Sequence, residues 1–212
     1  IRNLLVVAVF LMLFSCAEKR NNPLIQNLDK SWIVTTDTLN IKMEVDVPSV
    51  IQADMYENGL IPHPYKSNIE SQLHWIPQHE WEYSLDFKAE DYILREDVIE
   101  LVFEGLDTYA DVWMNGKKIL HADNMFRTYS YDVKDIIKET NNIKIKFYPF
   151  DKERDSLIET YPLRFPEKYA VMRKAAYQNG WDWAPRYMNM GIWQPVYLKA
   201  WTRSTICSAS VI

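Results

Sequence analysis

Two cysteines occur in 212 residues, Cys16 and Cys207, at opposite ends of the chain and in unlike surroundings, so no disulfide framework holds the fold. No run of Lys and Arg interrupts a chain whose formal net charge is −5, which argues against nucleic acid as a partner. The long apolar run, Leu4 to Phe14, falls short of the roughly 20 residues that a helix needs to cross a bilayer. No ten-residue helical patterns alternate with the strand patterns, which excludes a parallel α/β sheet. Internal repeats and low-complexity tracts are also missing, and there are only 5 glycines.

Aromatic residues, in contrast, are plentiful at 14%, with 8 Trp and 13 Tyr, more than a plain core needs. The length suits one generous domain with an overhang. Residues 1–16 read as an export signal: Arg2, the apolar run, then Ser15 before Cys16. Leu13, Ser15 and Cys16 resemble the lipobox of bacterial lipoproteins, with Phe14 where a small residue is usual. That resemblance implies lipidation at Cys16, export, and an anchor in the bacterial outer membrane on its periplasmic or cell-surface side. The lipid would be the only membrane contact, and Cys207 would stay unpaired. Because the sequence starts with Ile1 and not Met, we take it as clipped. Residues 17–30 read as a polar tether, 31–201 as one domain, and 202–212 as the start of a following domain.

Within the domain, Leu39–Val47 alternates apolar and polar residues at the period of a half-buried strand, and Pro48 ends it. Gln52–Asn58 predicts one or two helical turns stopped by Gly59. A long irregular stretch, Leu60–Gln78, carries two of the four histidines, and a third, His79, directly follows it. Trp81–Phe87 is the clearest strand, with Trp81, Tyr83, Leu85 and Phe87 on one side. Val98–Phe103 is more continuously apolar, and Asn115-Gly116 inside Ala110–Leu120 is a strong hairpin signal. Met125–Tyr131 precedes a charged turn, Ile143–Phe147 alternates again, Asp151–Glu159 is a charged loop or short helix, and Ile192–Trp201 is the last strand. Short strands joined by turns describe an all-β, antiparallel sandwich whose two sheets lie about 10 Å apart.

The stretch Arg173–Pro195, RKAAYQNGWDWAPRYMNMGIWQP, concentrates Tyr177, Trp181, Trp183, Tyr187 and Trp193 around one carboxylate, Asp182. Its glycines and prolines break it into a shaped loop. Two readings stand side by side. Indole faces cover sugar C–H surfaces, and a carboxylate between them accepts strong charge-assisted bonds from hydroxyls. Alternatively the aromatics form a buried cluster, with Asp182 satisfied by backbone N–H groups.

Other candidate chemistry is thin. His63, His74, His79 and His121 show no metal-ligand spacing and no cysteine joins them, so no metal site is expected. Arg127 fits either a bridge to a carboxylate near a pocket or a structural ion pair. Asp107 and Thr108 fit a turn held by side-chain to backbone bonds, and Trp113 reads as core. Glu167 lies too far along the sequence to pair with Asp182 by spacing, so a lone acid supports binding better than hydrolysis.

Four stretches, VPSVIQADMYENGLIPHPY (Val47–Tyr65), FEGLDTYADVWMNGKKI (Phe103–Ile119), ADNMFRTYSYDV (Ala122–Val133) and RKAAYQNGWDWAPRYMNMGIWQPVYL (Arg173–Leu198), together resemble the N-terminal sugar-binding domain of β-mannosidases in glycoside hydrolase family 2. The GLDT…VW.NG block belongs to the wider family, whereas ENGLIP.P, DNMFR and YQ.GWDW.P narrow the match to the mannosidase branch. The resemblance implies a jelly-roll β-sandwich of the galactose-binding-domain type. In that family an immunoglobulin-like domain and a (β/α)₈ barrel follow, and the barrel holds an acid/base and a nucleophilic glutamate, the arrangement of a retaining glycosidase.

By the same resemblance, Trp181 and Asp182, with Trp183 beside them, touch a terminal β-linked mannose. Asn179 and Ala184 flank that triplet where Phe or Ser and Gly are usual. The chain stops at Ile212, whereas a barrel needs about 250 further residues. We therefore expect no catalytic residue in this chain and an inactive isolated fragment of an exo-acting β-mannosidase. No cofactor is expected, and the implied partners are β-mannoside oligosaccharides and the absent domains of the same polypeptide. The alternatives are a stand-alone carbohydrate-binding lipoprotein module, or a family relative acting as β-galactosidase, β-glucuronidase or exo-glucosaminidase.

Overall fold

A computed structural model of the chain describes residues 22–66, 68–160 and 167–202. The leader, the lipobox Cys16, and Cys207 lie outside the described residues. The strands are β1 (Leu24–Asn27), β2 (Trp32–Thr36), β3 (Ile41–Val45), β4 (Trp81–Lys88), β5 (Val98–Phe103), β6 (Ala110–Met114), β7 (Lys117–Ala122), β8 (Tyr129–Asp132), β9 (Thr140–Phe147) and β10 (Val196–Trp201). Helices α1 (Ile51–Glu57), α2 (Ile69–Leu73), α3 (Asp91–Leu94) and α4 (Phe150–Thr160) lie in the connections. Among the described residues no helix is long and apolar enough to cross a membrane.

The strands form two antiparallel sheets, one ordered β1-β10-β5-β8 and the other β3-β2-β4-β9-β6-β7. The alternation read from the sequence becomes the register of the larger sheet. Met43, Val34, Tyr83, Ile145 and Val112 are paired in one row across five strands, and all are buried. Trp81 and Phe147 face each other in the next row. From the smaller sheet, Ile99, Leu101, Phe103, Val196, Leu198 and Ala200 complete the core. Buried indoles keep their N–H satisfied: Trp32 Nε1 donates to Leu28 O at 2.8 Å and Trp81 Nε1 to Ile76 O at 2.9 Å. That removes the penalty that otherwise attends burying a polar atom.

Three expectations need correction. β1 lies inside the stretch read as a polar tether, and Leu24–Asn27 pairs with Ala200–Tyr197, so the sandwich begins before residue 31. The short strand β2 is marked by no long alternation and was not anticipated. Trp113 is not core: Ala110, Val112 and Met114 take the inward positions of β6, and parity turns Trp113 outward, where Lys118 Nζ sits 5.9 Å from its ring centre. The Asn115-Gly116 turn forms as expected, with positive φ of 52° and 82°.

Connections of two kinds leave the sandwich. At one end are tight ones, such as the Asn115-Gly116 hairpin. At the other end, the long connections β3–β4, β5–β6, β7–β8 and β9–β10 meet one another. Ser49 N–H donates to Ile192 O and Ile51 N–H to Met190 O, both at 2.9 Å. Asp107 and Gly191 exchange backbone bonds at 2.9 and 3.0 Å, and Met125 N–H donates to Arg173 O at 3.0 Å. The β9–β10 connection is thus the hub on which the other three rest.

Candidate functional site

Residues 173–195 emerge from the sandwich as a loop with a fastened neck and a free tip. At the neck, the Asp107 carboxylate is fully buried and pairs with the equally buried Lys174 ammonium. Lys174 Nζ also donates to Asn189 O at 2.6 Å. Gln178 closes the ring: its Nε2 donates to Asp107 Oδ2 at 2.9 Å, and its Oε1 accepts from Asn189 N–H at 2.8 Å. The inbound limb of the loop is thus bonded to the Asp107 carboxylate through Lys174 and Gln178, and the outbound limb is bonded to those two side chains at Asn189 and to the Asp107 backbone at Gly191. Burial draws the Lys174 pKa below its ordinary value, and the Asp107 charge opposes that shift. Asp107 and Thr108 do make a turn, but the Asp107 side chain is spent on Lys174, Gln178 and the Thr108 hydroxyl, not on the backbone.

Beneath the neck lies a second buried carboxylate. Asp54 on α1 accepts from Ser49 Oγ and, at 3.2 Å, from the buried Tyr83 hydroxyl. Burial pushes its pKa up to about 6. Gly191, at φ 146°, passes directly over this group, and a Cβ there would lie 2.8 Å from Ser49 O and 2.9 Å from the Tyr83 hydroxyl.

The tip is a tight turn. Trp181 N–H donates to Ala184 O at 3.1 Å and Ala184 N–H to Trp181 O at 3.2 Å, so Asp182 and Trp183 form its apex. Gly180, with φ 88°, supplies the bend that leads into it. Trp181 is 60% and Trp183 83% exposed, with ring centres 5.9 Å apart and planes at 73°. Asp182 is exposed too, and no described residue donates a hydrogen bond to it. Of the two readings left open by the sequence, the buried cluster with a backbone-satisfied Asp182 does not fit this arrangement. Trp193 does take the structural role: its Nε1 donates to Met125 O at 3.0 Å, and its ring fills the space that a Cβ on Gly105 would claim.

The β3–β4 connection buttresses the outbound side. Tyr187 donates its hydroxyl to Pro64 O, Tyr65 stands 5.6 Å from the Tyr187 ring, and Glu70 Oε1 accepts from Arg186 N–H at 2.8 Å. Tyr65, Phe126 and Tyr177 are all strongly exposed on these same connections. Arg127 lies on the surface over the Tyr129 ring at 6.0 Å, and no carboxylate among the described residues pairs with it. His79 Nδ1 meets Thr38 and His121 Nδ1 meets Asp111, and among the described residues no group of three or more His, Cys, Asp or Glu side chains could hold a metal ion. Sequence reasoning missed Lys174 and Gln178. Their signal was two polar residues four apart in a run rich in aromatics, though nothing local names Asp107 as their partner.

Two antiparallel sheets with the loops fastened to one another at one end, and with exposed indoles there flanking a carboxylate that no described residue pairs, define a loop-bearing β-sandwich domain. Residues 26–194 match the family described as glycosyl hydrolase 2 galactose-binding domain-like, and the chain belongs to that family. It is 29% identical over 187 residues to the β-mannosidase of Mus musculus, covering 82% of this chain and 21% of that protein. With β-mannosidase A of Emericella nidulans it shares 31% over 182 residues, or 80% of this chain and 19% of that one. Among solved structures, the β-D-mannosidase from Dictyoglomus thermophilum superimposes with a TM-score of 0.79 at 34% identity, over 84% of this chain and 23% of that one. The chain thus spans about a fifth of the length of these relatives, at its N-terminal-domain fold.

Proposed function

We propose that this chain is the N-terminal part of an exo-acting, retaining β-mannosidase that removes terminal, non-reducing β-D-mannose, and that Trp181, Asp182 and Trp183 line its sugar pocket. The observation that carries this reading is the Trp181–Ala184 turn, which holds between two exposed indoles, on a fastened neck, a carboxylate that no described residue pairs. Indoles left in water at this density gain from covering the C–H face of a pyranose. A carboxylate between them accepts from two neighbouring hydroxyls.

On this reading the catalytic acid and nucleophile belong to a barrel of the full-length polypeptide that an immunoglobulin-like domain precedes, and the sandwich domain by itself is inactive. Mannose is favoured over galactose, glucuronic acid and glucosamine because the relatives near 30% identity named above are β-mannosidases. We further propose export and attachment to the outer membrane through a lipid on Cys16. Asp182→Ala in the full-length enzyme tests the pocket. Loss of one or two charge-assisted bonds at about 1.5–3 kcal/mol each lowers kcat/KM for an aryl β-mannoside at least tenfold. An unchanged value removes Asp182 from the pocket.

A further inference from the structure

Behind the turn, a half-open cavity of about 110 Å³ separates α1, α2 with the 3₁₀ turn after it, the start of α4, and the outbound side of the loop. None of Trp181, Asp182, Trp183 or Ala184 lines it. Its polar wall comes from Gln52, His74, Gln78, Asp151 and Arg186, and its apolar wall from Phe150 and the Tyr187 ring.

Two of these polar groups are left incomplete. Gln52 is only 6% exposed. Its Nε2 donates to Met188 O at 2.8 Å, which fixes the amide orientation, because the reverse would set oxygen against oxygen. Gln52 Oε1 is therefore a buried acceptor, and no described residue donates to it. His74 Nε2 is also buried and unpartnered. It stands 3.5 Å from Glu70 Oε1, beyond the ordinary range of a hydrogen bond, and no described residue bonds it. Buried polar atoms in folded proteins nearly always have partners, so two orphans on one cavity wall point to an occupant that supplies them.

The chemistry of the wall defines that occupant. Gln52 Oε1 can only accept, so the occupant donates there, while His74 Nε2 donates or accepts according to its tautomer. Of the lining side chains, Arg186 and Asp151 carry opposite formal charges that sum to zero, which leaves no net charge to select an anion or a cation. The cavity is far smaller than the roughly 300–1,000 Å³ of a drug-sized pocket. A vicinal diol meets all of these conditions: it is neutral, small, donates and accepts from adjacent oxygens, and brings C–H groups for Phe150 and Tyr187.

We propose that this cavity is a second sugar site, holding the hydroxylated edge of one neutral pyranose, with Gln52 Oε1 accepting from one hydroxyl and His74 Nε2 bonding its neighbour. The assignment stands on the cavity's own donor and acceptor set and is independent of the pocket proposed for Trp181 and Asp182. Methyl β-D-mannopyranoside titrated into protein carrying ¹⁵N-glutamine tests it. The Gln52 side-chain amide resonances shift saturably, with a Kd of about 1–10 mM.

Gln52→Leu abolishes binding at this site, read on the Gln78 amide, and Asp182→Ala leaves the Gln52 shift unchanged. Should Gln52→Leu disturb the spectrum of the fold, His74→Phe carries the same test and weakens the Gln52 shift at least tenfold. Absence of a saturable Gln52 shift at about 100 mM sugar overturns the proposal and leaves water as the occupant. Shifts lost in Asp182→Ala and kept in Gln52→Leu also overturn it, while supporting the Trp–Asp pocket.

Discussion

Lys174 and Asp107 stand 67 positions apart in the chain and form an ion pair with both side chains 99% buried. A salt bridge this dry is weak evidence of net stability, because desolvating two charges offsets their attraction. Its value lies in specificity. With Gln178 and Asn189 it gives the loop one register, and the Trp181–Ala184 turn is presented from that register. The pocket wall proposed for this loop would need such fixing, since small misplacements of contact groups are costly to catalysis.

Removing one partner should cost far more than removing both. Lys174→Met leaves the Asp107 carboxylate buried with only Gln178 and Thr108 to satisfy it, and stability should fall by about 3–5 kcal/mol. Asp107→Leu combined with Lys174→Met removes both charges and should recover a good part of that loss. Urea unfolding of the two variants checks the order. If the double variant is less stable than Lys174→Met alone, the pair is not coupled as described.

Asp54 makes a pH prediction of opposite sign to the usual carboxylate. Its folded pKa is raised to about 6, above the unfolded value near 4. The folded state therefore holds its proton longer than the unfolded state does. The stabilisation this provides is complete below about pH 4 and lost as pH rises through about 6, on the order of 2–3 kcal/mol. Asp46 and Asp111, whose carboxylates are held below their ordinary values by Lys30 and by Lys118 with His121, act in the opposite sense but lose their contribution only at more acid pH. Asp54→Asn should flatten the stability profile between pH 4 and 7 in denaturant titrations; a slope identical to the parent protein's would remove Asp54 as its source.

How much of this was legible beforehand varies by residue. The inward faces of Met43, Tyr83 and Ile145 were readable because each of their strands alternates over five residues or more, and period two assigns a face. β1 was not, because four residues beside a polar stretch give no period to count, and only pairing with β10 makes it a strand. Trp113 was misread by residue type, when the parity of Ala110, Val112 and Met114 already sent it outward. At the site, the sequence placed Trp181, Asp182 and Trp183 together. It could not place Asp107 beneath them, because the contact with Lys174 is made by folding and not by spacing.

Two glycines separate backbone strain from crowding. Gly116 has φ 82° and open space where a Cβ would stand, so Gly116→Ala bears only the left-handed penalty, about 1 kcal/mol. Gly191 has φ 146° and would set its Cβ against Ser49 O and the Tyr83 hydroxyl. Gly191→Ala should cost about 2–4 kcal/mol, since strain and overpacking add. Thermal melts of the two variants give the difference. Equal losses would mean that the passage over Asp54 is looser than its geometry.

Trp183 and Trp193 should respond in opposite ways to the same substitution. Trp183 is 83% exposed at the apex of the turn, so Trp183→Ala removes almost no packing and should leave stability within about 0.5 kcal/mol. If Trp183 lines the proposed pocket, its loss in the full-length enzyme should nonetheless lower kcat/KM on an aryl β-mannoside about tenfold. Trp193 is half-buried, bonded to Met125 O and packed on Gly105, so Trp193→Ala should destabilise by about 2–3 kcal/mol. Its effect on kcat/KM at low temperature, where the variant remains folded, should be the smaller of the two. Measuring unfolding and kinetics on both variants separates a residue that meets substrate from one that carries the loop. A Trp183→Ala enzyme with parental kinetics would assign the exposed indoles to a protein interface and leave the sugar to other residues.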